Sequence, residues 1–167
     1  CIRDRESILR ILDRLHPKKI VIVSSAPQIR YPDYYGIDMA RLEEFCVFRA
    51  TIELLKERKM EKTIESVYEA CKNELTKPKA DMTNQVRAIY EPFRVEEINE
   101  KIVEMLRPEG FTTPVELVYQ SIEGLHKAIP HHHGDWYFTG KYPTPGGNKL
   151  CNQAFVNYYE SKYAVSK

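Results

Sequence analysis

Ser24-Ser25, with Arg30 close behind, is the stretch of this 167-residue chain with the clearest capacity for chemistry. Two hydroxyls, loop backbone amides and a guanidinium can together hold an anion. The plainer alternative is a structural loop in which Arg30 pairs with Asp33 or Asp38, and residue types alone weigh the two equally. The other concentration of reactive side chains is His131-His132-His133, with His126 and Asp135 nearby in sequence. Adjacent imidazoles point in different directions, so a metal would take one or two of them plus distant partners. The Cys/His spacing of structural zinc is missing, so a solvated loop after a proline-ended helix is expected, with no physiological metal. Such a cluster can still catch adventitious nickel or zinc.

Other patterns point to structure. There is no G-x-x-x-x-G-K-[ST] or G-x-G-x-x-G phosphate cradle, and Gly146-Gly147, between Pro145 and Asn148, reads as a turn. There is no G-x-S-x-G elbow and no carboxylate pair spaced for acid/base work. Glu43-Glu44 and Glu96-Glu97 belong to solvated helix faces. Cys1, Cys46, Cys71 and Cys151 stand far apart, without a Cys-x-x-Cys pair, and are expected to be free thiols. Cys46 and Cys71 fall on apolar helical faces and read as small core residues. Cys1 as an N-terminal nucleophile is the weaker reading. No catalytic residue and no metal ligand is assigned.

The elements that must position Ser24-Ser25 begin with Ile8, Ile11, Leu12 and Leu15, whose spacing predicts a helix over Arg5–Leu15, ended at Pro17. Ile20-Val21-Ile22-Val23 then reads as a fully buried strand, and a helix followed closely by such a strand is the unit of a parallel α/β sheet. Ligands in these sheets sit beyond the carboxyl ends of the strands, which is where Ser24-Ser25 fall. The loop from Ser24 to Met39 carries Pro27, Pro32, Gly36 and several aromatics, and is expected to pack against something. Helices follow over Ala40–Glu57, Thr63–Leu75 and Val95–Leu106, with a polar linker of at most one helical turn over Thr76–Pro92. Val115–Tyr119 reads as a second strand, Ser121 as the N-cap of a helix through Ile129, and about Gln153–Lys162 as a closing helix.

Hydrophobic residues at 43%, charged residues at 29% and a net charge of +1 describe an ordinary globular protein. They argue against disorder and against nucleic acid as a partner. No apolar run nears the ~18 residues of a membrane span and no signal-peptide core is visible, so no membrane is expected and the cytoplasm is the expected compartment.

Ser24-Ser25-Ala26-Pro27, Arg30-Tyr31-Pro32 and Tyr35-Gly36-Ile37-Asp38-Met39 closely resemble, in that order, one segment of the glutamine-dependent amidophosphoribosyltransferases. Val95-Glu96-Glu97-Ile98, the stretch Val115 to Ile129 with Ser121-x-Glu123-Gly124-Leu125-x-Lys127-Ala128-Ile129, and the tail Phe138-Thr139-Gly140-Lys141-Tyr142-Pro143-Thr144 are similar to later parts of that family. The resemblance implies an enzyme with two domains, opening purine synthesis. A glutaminase domain releases ammonia from glutamine, and a phosphoribosyltransferase domain uses it to displace pyrophosphate from magnesium-bound phosphoribosyl pyrophosphate. It further implies that Ser24, Ser25, Tyr35, Gly36, Ile37 and Asp38 border the phosphoribosyl site, and a homo-oligomer is expected.

The chain departs from that pattern. The family's acidic pair and Gly-Thr loop are absent, with Cys1-Ile2-Arg3 at most their edge, and the glutaminase domain is missing. Some members bind an iron–sulfur cluster through Cys-x-x-Cys near the tail; here His131 to Tyr137 contains no cysteine, so no cluster is expected. The expected fold is therefore α/β, the C-terminal part of a phosphoribosyltransferase-type parallel sheet, helix-rich and with a helical insertion. Residues 1–54 would end that domain, 55–92 form the insertion, and 93–167 carry a helix–strand–helix unit and tail. The segment alone should be inactive; the second expectation is a stand-alone, non-catalytic binding or regulatory module derived from the same fold.

Overall fold

Helical apolar spacing and two short β-branched runs build the chain, for which a computed structural model describes residues 2–33, 39–131 and 134–163. Helix α1 (Ile2–Asp13) leads into strand β1 (Ile20–Ser24). Helices α2 (Cys46–Glu57), α3 (Glu61–Leu75) and α4 (Val95–Leu106) precede strand β2 (Val115–Tyr119). Short helices α5 (Ile122–Ala128) and α6 (Trp136–Thr139) lead to the long α7 (Pro145–Tyr163). The fold is thus helix-rich around a small parallel sheet. No helix among the described residues is long and apolar enough to cross a membrane.

The strands pair in parallel from Ile20↔Val115 to Ser24↔Tyr119. Parallel neighbours need a long crossover, and here α2, α3 and α4 all lie within it. One face of the sheet is covered, with α4 packed against β2 and α2, and α1 leaning on α4. On the other face Val21 and Val23 are 49% and 71% exposed. β1 is therefore not the fully buried strand its composition suggests: among the described residues nothing covers that face, and β1 pairs only with β2. The same holds for Ile11 of α1 and for Leu15 just beyond its end, 59% and 74% exposed.

The core lies among the helices. Phe48 of α2 is fully buried, edge-on to Phe155 and Tyr158 of α7 at centroid separations of 6.1 and 4.8 Å. Leu55, Ile64, Ile98 and Ile102 join it, so the core runs through residues 1–54, 55–92 and 93–163 without a break. Cys71 is fully buried in it, whereas Cys46 is only half-buried, 3.8 Å from the Tyr119 hydroxyl.

Three expectations are corrected. The helix over Ala40–Glu57 is a 3₁₀ turn (Leu42–Glu44) and then α2, because Phe45 is extended (φ −81°, ψ 124°) while its ring sits in the core. The linker over Thr76–Pro92 is two 3₁₀ turns, Lys79–Asp81 and Gln85–Ile89, with Val86 and Ile89 fully buried. It is latched by buried Glu74, whose carboxylate accepts from Lys77 Nζ (2.7 Å), Thr83 N–H (2.8 Å) and Gln85 Nε2 (2.9 Å). Burial pushes the Glu74 carboxyl up, but these donors outweigh it and hold the group below its usual range. Lastly, Gly146-Gly147 is not a turn but the first turn of α7, opened by Pro145 at the position where a missing N–H costs nothing. A Cβ on Gly147 would lie 2.2 Å from Tyr142 Cδ1, so glycine alone admits that ring.

Candidate functional site

β1 delivers Ser24 to the carboxyl end of the parallel pair, where the Ser24 carbonyl accepts from Gln120 N–H at 3.1 Å and ties the two strand ends together. The Ser24 hydroxyl closes a local turn, donating to Ala26 O (3.0 Å) and accepting from Ala26 N–H (3.3 Å). Ser25 is exposed. The structure thus places Ser24 and Ser25 at the strand end, as expected, with the Ser24 hydroxyl engaged inside the loop. Tyr35, Gly36, Ile37 and Asp38, the other expected site residues, lie outside the described residues, as do His132 and His133.

Beyond Ala26 the loop is held from two sides. Buried Gln28 donates through Nε2 to Asn99 Oδ1 (2.7 Å) and Val95 O (3.3 Å) on α4. Its Oε1 accepts from Arg30 Nε (3.1 Å) and Nη2 (2.6 Å). Among the described residues Arg30 therefore pairs with Gln28, and the Asp33 carboxylate accepts from Tyr137 OH at 2.9 Å; Asp38, the other expected partner, lies outside them. On the other side stands the tail. Arg30 and Tyr31 N–H both donate to Tyr137 O (2.9 and 3.1 Å), and Tyr142 OH donates to Pro32 O. Gly140, at φ +70°, lets the tail pass the Tyr31 ring, which a Cβ there would meet at 2.7 Å.

These contacts leave a cleft of about 500 Å³ beside the end of β2, lined among others by Gln28, Arg30, Asn99, Tyr119, Ser121 and Phe138. The Ser121 hydroxyl is committed to capping α5, accepting from Gly124 N–H at 2.9 Å. The guanidinium edge of Arg30, side-chain amides and the carboxylates of Glu96 and Glu123 remain, a polar set of both charge signs that contains no nucleophile–base pair. Gln28 and Asn99 escape sequence reasoning, because a single amide has no spacing signal and its partner is 71 residues away.

No group of three or more His, Cys, Asp or Glu side chains is gathered among the described residues. His126 and Asp135 do meet, Nε2 to Oδ2 at 3.0 Å, on the surface near α6, while His131 is exposed. Magnesium, which prefers carboxylates together with substrate phosphates, does not fit the loop residues described, since the Asp33 carboxylate is engaged by Tyr137. The buried thiols are inert, with burial pushing Cys71 and Cys151 each up to about 12.

Comparison of the chain with protein-family models, with curated proteins and with solved structures found no match.

Proposed function

We propose that the chain is the C-terminal segment of an amidophosphoribosyltransferase, contributing the end of a phosphoribosyltransferase-type sheet to an enzyme that makes phosphoribosylamine. The observation that carries the reading is a juxtaposition. The loop after β1 and the Phe138–Tyr142 tail, two of the stretches whose residues resemble that family, are over a hundred residues apart and pack on each other beyond the strand ends. Ligands of parallel sheets bind at that place. The open side of β1 and the exposed apolar residues of α1 support the same reading, since a parallel sheet is normally covered on both faces.

In this reading Ser24, Ser25 and the Tyr35–Asp38 stretch border the phosphoribosyl group and position it. The transfer requires positioning and charge stabilisation more than a proton carrier. The acidic pair, the Gly-Thr loop and the glutaminase are not in this chain, and magnesium would arrive with the substrate.

Pyrophosphate release from phosphoribosyl pyrophosphate tests it. The chain alone should release none with ammonia, whereas the product of the native gene should release it with ammonia or glutamine. Asp38→Asn in that product should raise KM for phosphoribosyl pyrophosphate more than it lowers kcat. A native product unable to form phosphoribosylamine would overturn the reading in favour of a non-catalytic module.

A further inference from the structure

Next to the cleft at the strand ends lies a second concavity of about 370 Å³, where the Gln85–Ile89 turn and the residues after it face the tail. Three cations line it: Arg30 from the loop, Arg87 from the 3₁₀ turn and Lys141 from the tail. Glu91 is the carboxylate among its lining residues. Among the described residues, Arg30, Arg87 and Lys141 form no ion pair with any carboxylate. On the described lining these three positive groups outnumber the one carboxylate, Glu91, with which none of them forms an ion pair, an excess of positive charge that a bound anion relieves.

Arg30 is held ready for such a ligand. Two of its N–H groups are spent on the neutral Gln28 Oε1, and its Cζ lies 5.1 Å from the centroid of the Tyr90 ring. Tyr90 is itself fixed, buried and donating through its hydroxyl to Arg30 O at 2.8 Å. A guanidinium locked from two directions keeps its remaining donors aimed without further ordering cost, the geometry that suits bidentate contact with phosphate. The fields of Arg30 and Arg87 overlap at Tyr31: burial raises that phenol, and both guanidinium groups pull it back down. Ile122 and Phe138 line both concavities, giving an apolar surface beside the charged one.

We propose that this concavity is a binding site for a small phosphorylated molecule, its phosphate held by Arg30, Arg87 and Lys141 and its apolar body lying on Ile122 and Phe138. The site shares Arg30, Ile122 and Phe138 with the cleft at the strand ends, while Arg87 and Tyr90 lie in the segment that the family resemblance does not cover.

Titration of the chain with phenyl phosphate, followed by backbone amide shifts, tests it. Saturable changes should be confined to residues 30–31, 87–91 and 138–141, with inorganic phosphate giving the same pattern more weakly and phenol giving none. Arg87→Gln and Lys141→Gln change exposed side chains and leave the fold intact. Each should weaken the apparent affinity about tenfold, the usual value of a hydrogen bond to a charged group. Added salt should weaken it further. Changes that fail to saturate, lie elsewhere, or survive both substitutions with unaltered affinity would overturn the proposal.

Discussion

Asn152, fully buried on α7, joins residues 67, 69 and 81 positions away. Its Nδ2 donates to Thr83 O (2.8 Å), and its Oδ1 accepts from Gln85 N–H (3.1 Å) and Cys71 Sγ (3.5 Å). A buried amide satisfied on both sides is far more costly to delete than to keep, because its backbone partners cannot find water. Asn152→Ala should therefore cost about 2–4 kcal/mol in denaturant unfolding, larger than most single substitutions. A loss within the ~0.5 kcal/mol of ordinary surface changes would show that water takes over both partners. Nothing in the sequence marks this residue: it reads as one polar position in a closing helix, and the two backbone groups it serves sit in a stretch that reads as linker.

At the scale of elements, the start of α4 rests on Glu97. Its carboxylate accepts the Arg94 N–H at 2.8 Å, closing the helix start on itself, and pairs with Arg58 from the end of α2. The Arg94 N–H first, and then Arg58, hold the Glu97 carboxyl down at about 2. A depressed folded-state value means that the stabilisation is present above the unfolded carboxylate pKa of ~4.3 and is lost as pH falls through about 2. Glu97→Gln should lower Tm at pH 7, with the difference from the parent fading between about pH 4 and pH 2. A difference that persists unchanged at pH 2 would assign the effect to something other than the charge.

α4 is also where sequence spacing is most informative, since Ile98, Ile102, Met105 and Leu106 mark one stripe, packed in or against the core, and the Arg107-Pro108 step stops it. α7 shows the opposite case. Pro145-Gly146-Gly147 looks like a turn because glycine propensity says so, whereas Pro145 opens α7 and the Tyr142 ring against Gly147 requires a glycine in its first turn. The strands were legible as strands, but the burial of β1 was not, because a β-branched run reports on a complete sheet and not on how many neighbours are present. The position of Ser24-Ser25 could be read from sequence; the Gln28–Asn99 tie and the Arg30, Arg87, Lys141 cluster could not, since both are made by tertiary contacts.

For the whole molecule, the incompletely covered sheet decides behaviour in solution. Ile8, Leu12 and Ile22 line a largely apolar groove of about 480 Å³ between α1 and the sheet, and Val21 and Val23 stand 49% and 71% exposed on the outer face. An uncovered strand edge with apolar neighbours is a template for association. Sedimentation of the isolated chain should show concentration-dependent self-association, and Val23→Lys should shift the midpoint to roughly tenfold higher concentration, the equivalent of losing one buried valine. A chain that stays monomeric at high concentration, with the lysine variant indistinguishable from it, would remove the case that this surface is normally covered.

The pairing of Ser24 with Tyr119 also sets a timetable. During synthesis β1 leaves the ribosome before β2 exists, and the residue that completes their shared register follows 95 positions later. At a translation rate of about 5–20 residues per second, that is a wait of roughly 5–20 s, long compared with the microseconds of local helix formation. The helices between the strands can assemble in that interval, so the parallel pair closes last, onto a scaffold already built. The same separation makes the closing step slow in refolding from denaturant, where loop entropy must be lost before the strand contacts repay it.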